Sequence, residues 1–303
     1  MKNYINFKDI KVESINNVLD KALEYKSGKK SNILSNKTAI LLFEKPSLRT
    51  KLSFWKGIKL HNGEPIYFGP DEIGLGRRES IKDVSNVINK MADLVIIRTF
   101  SHSSLYEYVK YSKIPVINAL SDDEHPCQAL ADLLTIYEDK NTLNNLSVAY
   151  IGDANNVAKS LAFAISGVGG TFNIASPKEY SFDDIVIKNI NEYGTGRIYH
   201  TEDPSEAVKN CDFIYTDVWT SMGQEKETQT RKEKFKSYQV TPNLLDSANP
   251  GVKLMHDMPA HEGEEISKGL LYDNRSIVFE QAENRIWAQT ALMDIIFSIN
   301  NEY

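Results

Sequence analysis

The chain is poor in cysteine: Cys127 and Cys211 are the only two in 303 residues. That excludes a disulfide framework and a zinc ribbon, and it fits a reducing compartment. Long apolar runs are lacking too. No stretch approaches the roughly eighteen consecutive apolar residues of a membrane span, and the N-terminal "MKNYINFKDIKVES" lacks the apolar core of a signal peptide. There is no excess of positive charge, since 35 Lys and Arg stand against 41 Asp and Glu, a net charge of −6. No nucleic-acid or membrane partner is therefore expected, and an anionic ligand needs a local positive site. The chain also lacks internal repeats and low-complexity segments. What remains is ordinary for a globular protein, with 41% hydrophobic and 25% charged residues. The expectation is a cytoplasmic enzyme or binding protein, of one large domain or two of about 150 residues each.

Short apolar runs alternate with longer helical patterns. The strand candidates are "TAILLF" (38–43), "PIYFG" (65–69), "LVIIR" (94–98), "PVINAL" (115–120), "SVAYIG" (147–152), "FNIAS" (172–176), "DFIYT" (212–216), "VKLMH" (252–256) and "SIVFE" (276–280). Between them, Ile81, Val84, Val87, Ile88 and Met91 share one helical face, as do Leu130, Leu133, Leu134 and Tyr137. Such alternation predicts an α/β fold of two doubly wound parallel-sheet lobes linked by helices. The polar turn "DKNTLNN" (139–145) marks the expected boundary, and the stretch 283–299 is able to pack back on the first lobe.

Four stretches follow strands and carry chemistry. In "LLFEKPSLRTKLSF" (41–54) Ser47 is a good helix N-cap, followed by Arg49, Thr50 and Lys51. Unpaired N–H groups, hydroxyls and a guanidinium fork there suit a phosphate or carboxylate; the alternative is an ordinary capped helix with surface cations. In "HPCQALAD" (125–132) Pro126 fits a first helical turn. His125 then sits at the positive helix end as a neutral donor, or merely caps a loop. "GDANNVAKSL" (152–161) is neither a Walker A loop nor a dinucleotide fingerprint, because Ala158 stands where the glycine before Lys-Ser belongs. "TDVWTSMG" (216–223) offers Asp217 for a substrate ammonium and Ser221 for a polar group, or simply a cap and a packed loop.

Taken in order, Ser-x-Arg-Thr, His-Pro-x-Gln, Gly-Asp-x-Asn-Asn, Asp-x-x-x-Ser-Met-Gly and His-x-x-Pro-x-His-x-Gly-x-Glu, the chain resembles the aspartate/ornithine carbamoyltransferase family from about Phe43 to Gln289. The Ser-Met-Gly loop with "PAHEGEE" looks like the ornithine branch. The resemblance implies a carbamoyl-phosphate-binding domain over 1–140, with a helix at about 286–303 packing back on it, and an ornithine-binding domain over 141–285. It further implies a homotrimer with sites between subunits, and carbamoyl transfer to the side-chain amine of L-ornithine, giving L-citrulline and phosphate. One such site serves arginine synthesis or citrulline breakdown. Ser47, Arg49, Thr50 and the N–H of Leu48 look like the phosphate cradle. Arg98 and His125 look like donors to the carbamoyl oxygen, Gln128 like a contact to the carbamoyl nitrogen, and Arg285 like a further carbamoyl-phosphate contact. Asn156, Asp217, Ser221 and Met222 look like the ornithine site. Asp257 and Met258 occupy the family's Cys-Leu pair, whose backbone carbonyls receive the carbamoyl amide. No cofactor, metal or covalent intermediate is implied. The alternatives are a sibling enzyme for putrescine or an N-acylornithine, or a non-catalytic carbamoyl-phosphate-binding subunit.

The stretch "MHDMPAHEGEE" (255–265) carries two histidines and four carboxylates. A metal site is not expected, because His256 and His261 stand five apart, which is no common zinc spacing. The family reads His-Cys-Leu-Pro where this chain has "HDMP". Asp257 thus adds a second carboxylate near Asp217, which is expected to hold the ammonium of ornithine and move the pH optimum upward. The rival is that Asp257 only restores the charge of a thiolate. Milder departures are Leu48 for Thr, Lys51 for Arg, Trp55 for Glu, and Gly74 for a Gln that reaches the neighbouring subunit, with Arg77 or Arg78 as substitutes.

Overall fold

Buried parallel strands read as unbroken apolar runs, because helices cover both faces. The computed structural model describes residues 1–300 other than positions 73, 77 and 222, with the backbone alone at 299 and 300. Met222 and Arg77 thus lie outside the described residues. The chain divides into two compact units, Met1–Leu134 with the segment from Glu283 onward, and Thr135–Ala282.

The first unit contains strands β1 (Thr38–Phe43), β2 (Glu64–Phe68), β3 (Leu94–Arg98) and β4 (Val116–Leu120), and helices α1 (Ile15–Lys26), α2 (Leu48–Leu60), α3 (Ile81–Met91) and α4 (His102–Tyr111). Helix α5 (Pro126–Lys140) begins in this unit. The sheet order is β2-β1-β3-β4, all parallel. The core gathers Ile40 and Leu42 of β1, Val95 and Ile97 of β3, and Ile81 and Ile88 of α3. Val87 and Met91 of α3 are exposed, so the apolar stripe is wider than the face it buries.

The second unit contains β5 (Ser147–Ile151), β6 (Thr171–Ala175), β7 (Arg197–Thr201), β8 (Phe213–Thr216) and β9 (Lys253–His256). Its helices are α6 (Asn156–Gly167), α7 (Asp184–Tyr193) and the short α8 (Pro204–Ala207), then α9 (Thr228–Phe235) and α10 (Pro242–Asp246). The parallel order is β7-β6-β5-β8-β9. Helix α11 (Val278–Asn300) begins here and continues into the first unit.

One expectation needs correction, and one strand has no signal in the sequence. "SIVFE" is not a strand. Leu254 and Ser276 form one isolated bridge beside β9, and the helix starts at Val278, so tertiary context overrides a β-branched run. Strand β7, "RIYHT", was not expected: it is an edge strand of mostly exposed residues and lacks an apolar run. By compactness the division between units falls inside α5, between Leu134 and Thr135, and before Glu283. Helix α5 continues past the division and ends at the polar turn.

Within the first unit α11 is anchored by polar contacts. Asp294 accepts from Lys21 at 2.8 Å and Tyr25 at 2.6 Å, and His61 Nε2 meets the Thr290 carbonyl at 2.7 Å. Gly57 of α2 faces this helix, and a Cβ there would lie 2.9 Å from both Met293 Cε and Thr290 Oγ1.

Candidate functional site

In open α/β sheets, ligands bind beyond the strand carboxyl ends where the strand order reverses. In the first unit that switch point lies between β1 and β3, whose ends are level: Phe43 pairs with Arg98, and the Glu44 N–H donates to the Arg98 carbonyl at 2.8 Å. The loop after β1 leads to Ser47, the extended N-cap of α2, whose Oγ accepts from the Thr50 N–H at 3.3 Å. The Ser47 hydroxyl donates to Thr50 Oγ1 at 2.9 Å, and Arg285 Nη2 donates to the same oxygen at 2.7 Å. The register between β3 and β4 shifts at Ile97/Arg98, where Arg98 is buried at the strand end. His125, buried, directly precedes the first residue of α5.

The electrostatics of this group are cationic. Burial, then Arg285, Arg98 and Lys45, hold the His125 imidazole well below the usual histidine range, so it is neutral near pH 7. Burial and then Arg98 lower Lys45 as well, although Asp122 and Glu44 oppose them. The Lys45 ammonium rests 4.3 Å from the Phe100 ring centre. Gln128, also buried, donates to Asp132 at 2.8 Å while its Oε1 accepts from no described residue. Leu48 is 69% exposed, so only its backbone belongs to the helix start. Arg49 is half-buried. Lys51 places its ammonium 3.4 Å from the centre of the Tyr67 ring, a cation–π contact in place of the fork an arginine would offer. Sequence reasoning passed over Lys45, although it sits in the same "FEKPS" loop.

The second unit has its switch point between β5 and β8. Asn155 caps α6, accepting from the Val157 and Ala158 N–H groups at 3.0 Å each. Its amide donates to Asp217 Oδ2 at 2.9 Å, and the Tyr150 hydroxyl donates to its oxygen at 3.2 Å. Asn156, half-buried, opens the helix, so the asparagine that reaches Asp217 is the one before it. Asp217 follows β8 and Asp257 follows β9. Thr216 pairs with His256, so the two carboxylates leave adjacent strand ends side by side. Burial and then Asp257 push Asp217 up to about 7, against the pull of His256, Asn155 and the Val218 N–H. Ser221 is half-buried in the following loop, its N–H donating to Gln224 at 3.0 Å.

The histidine-rich stretch is an internal brace. His256 Nδ1 accepts from the Met258 N–H at 2.8 Å, which places its proton on Nε2, donated to Glu265 at 3.1 Å. Glu265 also accepts from the His261 N–H. This holds Met258 at φ 64, a left-handed conformation unfavourable for a side-chain-bearing residue. Among the described residues no group of three or more His, Cys, Asp or Glu is placed to hold a metal.

Arg231 ties both ligand loops together. It donates to Asp153 at 2.6 Å, to the Trp219 carbonyl at 3.2 Å and to Glu227 at 2.9 Å. Its partner Asp153 lies 78 positions away, so no sequence pattern points to it. Both partners are mostly buried, and Arg231→Met leaves Asp153 uncompensated. A loss of about 3–5 kcal/mol is expected in denaturant unfolding; an unchanged midpoint would refute the brace.

Comparison with known proteins agrees with these two constellations. Residues 2–138 match the carbamoyl-P binding domain of aspartate/ornithine carbamoyltransferase, and 144–296 match its Asp/Orn binding domain. Ornithine carbamoyltransferase of Anoxybacillus flavithermus is 43% identical over 96% of this chain and 95% of its own length. That of Archaeoglobus fulgidus is 41% identical over 97% and 96%. The crystal structure of anabolic ornithine carbamoyltransferase from Campylobacter jejuni covers 100% of both chains at 33% identity, with a TM-score of 0.95. A cationic switch point in one unit and an acidic one in the other, with both domain models and full-length relatives, lead to one conclusion: the chain belongs to the aspartate/ornithine carbamoyltransferase family.

Proposed function

We propose that the protein transfers the carbamoyl group of carbamoyl phosphate to the side-chain amine of L-ornithine, giving L-citrulline and phosphate. The observation that carries this reading is the buried set Arg98, His125 and Arg285 around Thr50 at the start of α2. These are donors for an oxyanion and its phosphate leaving group. Relatives named for ornithine along nearly their whole length support that acceptor.

The roles follow from the chemistry. Ser47, Arg49, Thr50 and the Leu48 N–H hold phosphate at the helix N-terminus. Arg285 adds a second guanidinium. Arg98 and neutral His125 donate to the carbamoyl oxygen as it becomes an oxyanion. Gln128 Oε1 accepts from the carbamoyl nitrogen, as do the backbone carbonyls of Asp257 and Met258. Asn156, Ser221 and Met222 hold the amino-acid end of ornithine, and Asp217 the side-chain amine. With a lysine-like pKa of about 10.4, only about one amine in 2,500 is neutral at pH 7, a handicap of roughly 4.6 kcal/mol. The acidic group must therefore bind the ammonium and also take its proton. The test is phosphate release and ureido product with ornithine, N-acetylornithine, putrescine, lysine and aspartate. Ornithine is expected to be fastest by far; preference for another amine, or no turnover, would overturn the assignment.

We also propose a cytoplasmic homotrimer. Cys127 and Cys211 are free and buried, which suits a reducing compartment, and no helix among the described residues is long and apolar enough to cross a membrane. On α2, Leu48, Leu52 and Trp55 are 69%, 61% and 39% exposed at helical spacing, an apolar stripe that a second copy would cover. Sedimentation is expected to give three times 34.3 kDa. Leu52→Asp is expected to yield smaller species; a monomeric wild type would refute the trimer.

A further inference from the structure

The acidic group contains one feature that substrate binding alone does not explain. Parallel strands lie about 4.8 Å apart. The register Thr216 to His256 therefore brings Asp217 and Asp257 out of neighbouring strand ends at one level. Asp217 is tied down, its Oδ2 accepting from Asn155. Asp257 Oδ1 is buried and accepts from no described residue. A buried carboxylate oxygen without a donor is costly, and the site is completed when a donor arrives. The ammonium of the acceptor is such a donor.

We infer that Asp217 and Asp257 act as one proton-sharing pair in which Asp257 takes the proton from the side-chain ammonium of ornithine before attack. This rests on the carbamoyl-transfer reading above. A buried carboxylate beside a second carboxylate ionises reluctantly, so Asp217 holds its proton above the usual carboxylate range. Asp217 is pushed up to about 7, with Asp257 the largest cause after burial. The other groups facing it are His256, whose ring proton is committed to Glu265, and Tyr150, which burial and the nearby Asp217, Asp153 and Asp257 keep protonated.

The step balances. The ammonium gives one proton to the ionised pair and becomes an amine. Its lone pair forms the N–C bond, the C–O bond to phosphate breaks with its electron pair on phosphate, and the second amine proton leaves with phosphate. The pair then returns its proton to water. The ureido product keeps one hydrogen on that nitrogen.

The experiment is the pH profile of kcat/KM for ornithine at saturating carbamoyl phosphate, for wild type, Asp257→Asn and Asp257→Glu. It is paired with carbon-13 NMR titration of the aspartate carboxyls in each unliganded protein. The wild-type acid limb is expected with its midpoint near about 7. In Asp257→Asn the limb is expected to move to lower pH, because Asp217 loses its like-charged neighbour. The plateau is expected to fall by about 10²-fold or more, as for loss of a general base. Asp257→Glu is expected to restore part of both. An unmoved limb with a loss under about tenfold in Asp257→Asn would overturn the pair. If wild type makes no citrulline at any pH, the carbamoyl-transfer reading fails instead. The NMR titration then decides the pair alone: a carboxyl titrating near about 7 that drops in Asp257→Asn supports it, and one that does not move refutes it.

Discussion

Arg98→Ala is expected to lower kcat by about 10²–10³-fold, the usual cost of one oxyanion donor. The guanidinium lies buried at the end of β3, beside the loop that leads to Ser47. Arg98 also disfavours a charge on His125 and Lys45, two groups already shifted down mainly by burial. A catalytic role requires that activity collapses in a variant that remains folded. Steady-state kinetics with a thermal melt separate the outcomes. A large drop in Tm together with activity would make Arg98 a structural residue.

Asp217→Asn is expected to lower kcat/KM for ornithine by about 10²-fold or more, because the ammonium loses its best-placed anion. Its stability effect has the opposite sign. The folded-state pKa of Asp217 is raised from 3.8 to about 7. The native state therefore holds the proton more tightly than the unfolded chain. Stability is highest below the unfolded value, falls as pH rises from there to the folded value, and is level above it. Substitution removes that fall, a gain of up to about 4 kcal/mol above pH 7. The Asn155 amide keeps an acceptor in the new side chain. Urea unfolding is expected to show the variant gaining on wild type at both pH 5 and pH 8, and by clearly more at pH 8. Equal differences at both values would refute the raised pKa.

Most of the fold is legible in the sequence because it lies in buried parallel strands. "LVIIR" and "TAILLF" coincide with β3 and β1 residue for residue. The edge strand β7 is not legible, since its exposed faces carry no apolar run. "SIVFE" misleads because its β-branched residues start a helix after a single bridge. The α3 stripe is apolar beyond what the unit buries, so periodicity alone overstates the core.

The site is legible where chemistry is local. Ser47 as cap and His125 before Pro126 follow from adjacent residues. Thr50 with Arg285 spans 235 positions and Asp153 with Arg231 spans 78, and only folding brings these pairs together. The acidic and histidine-rich stretch 255–265 looks like a ligand cluster because its residue types are the same. In the fold, His256 and Glu265 are spent on each other and on backbone N–H groups, and Asp257 is left facing Asp217.

The most direct measurement follows carbon-13 from labelled carbamoyl phosphate by NMR in the presence of ornithine. The account predicts that the label appears as the ureido carbon of citrulline, with an equimolar amount of phosphate. Label found only in bicarbonate or cyanate, or turnover equal to a protein-free control, would contradict carbamoyl transfer to ornithine.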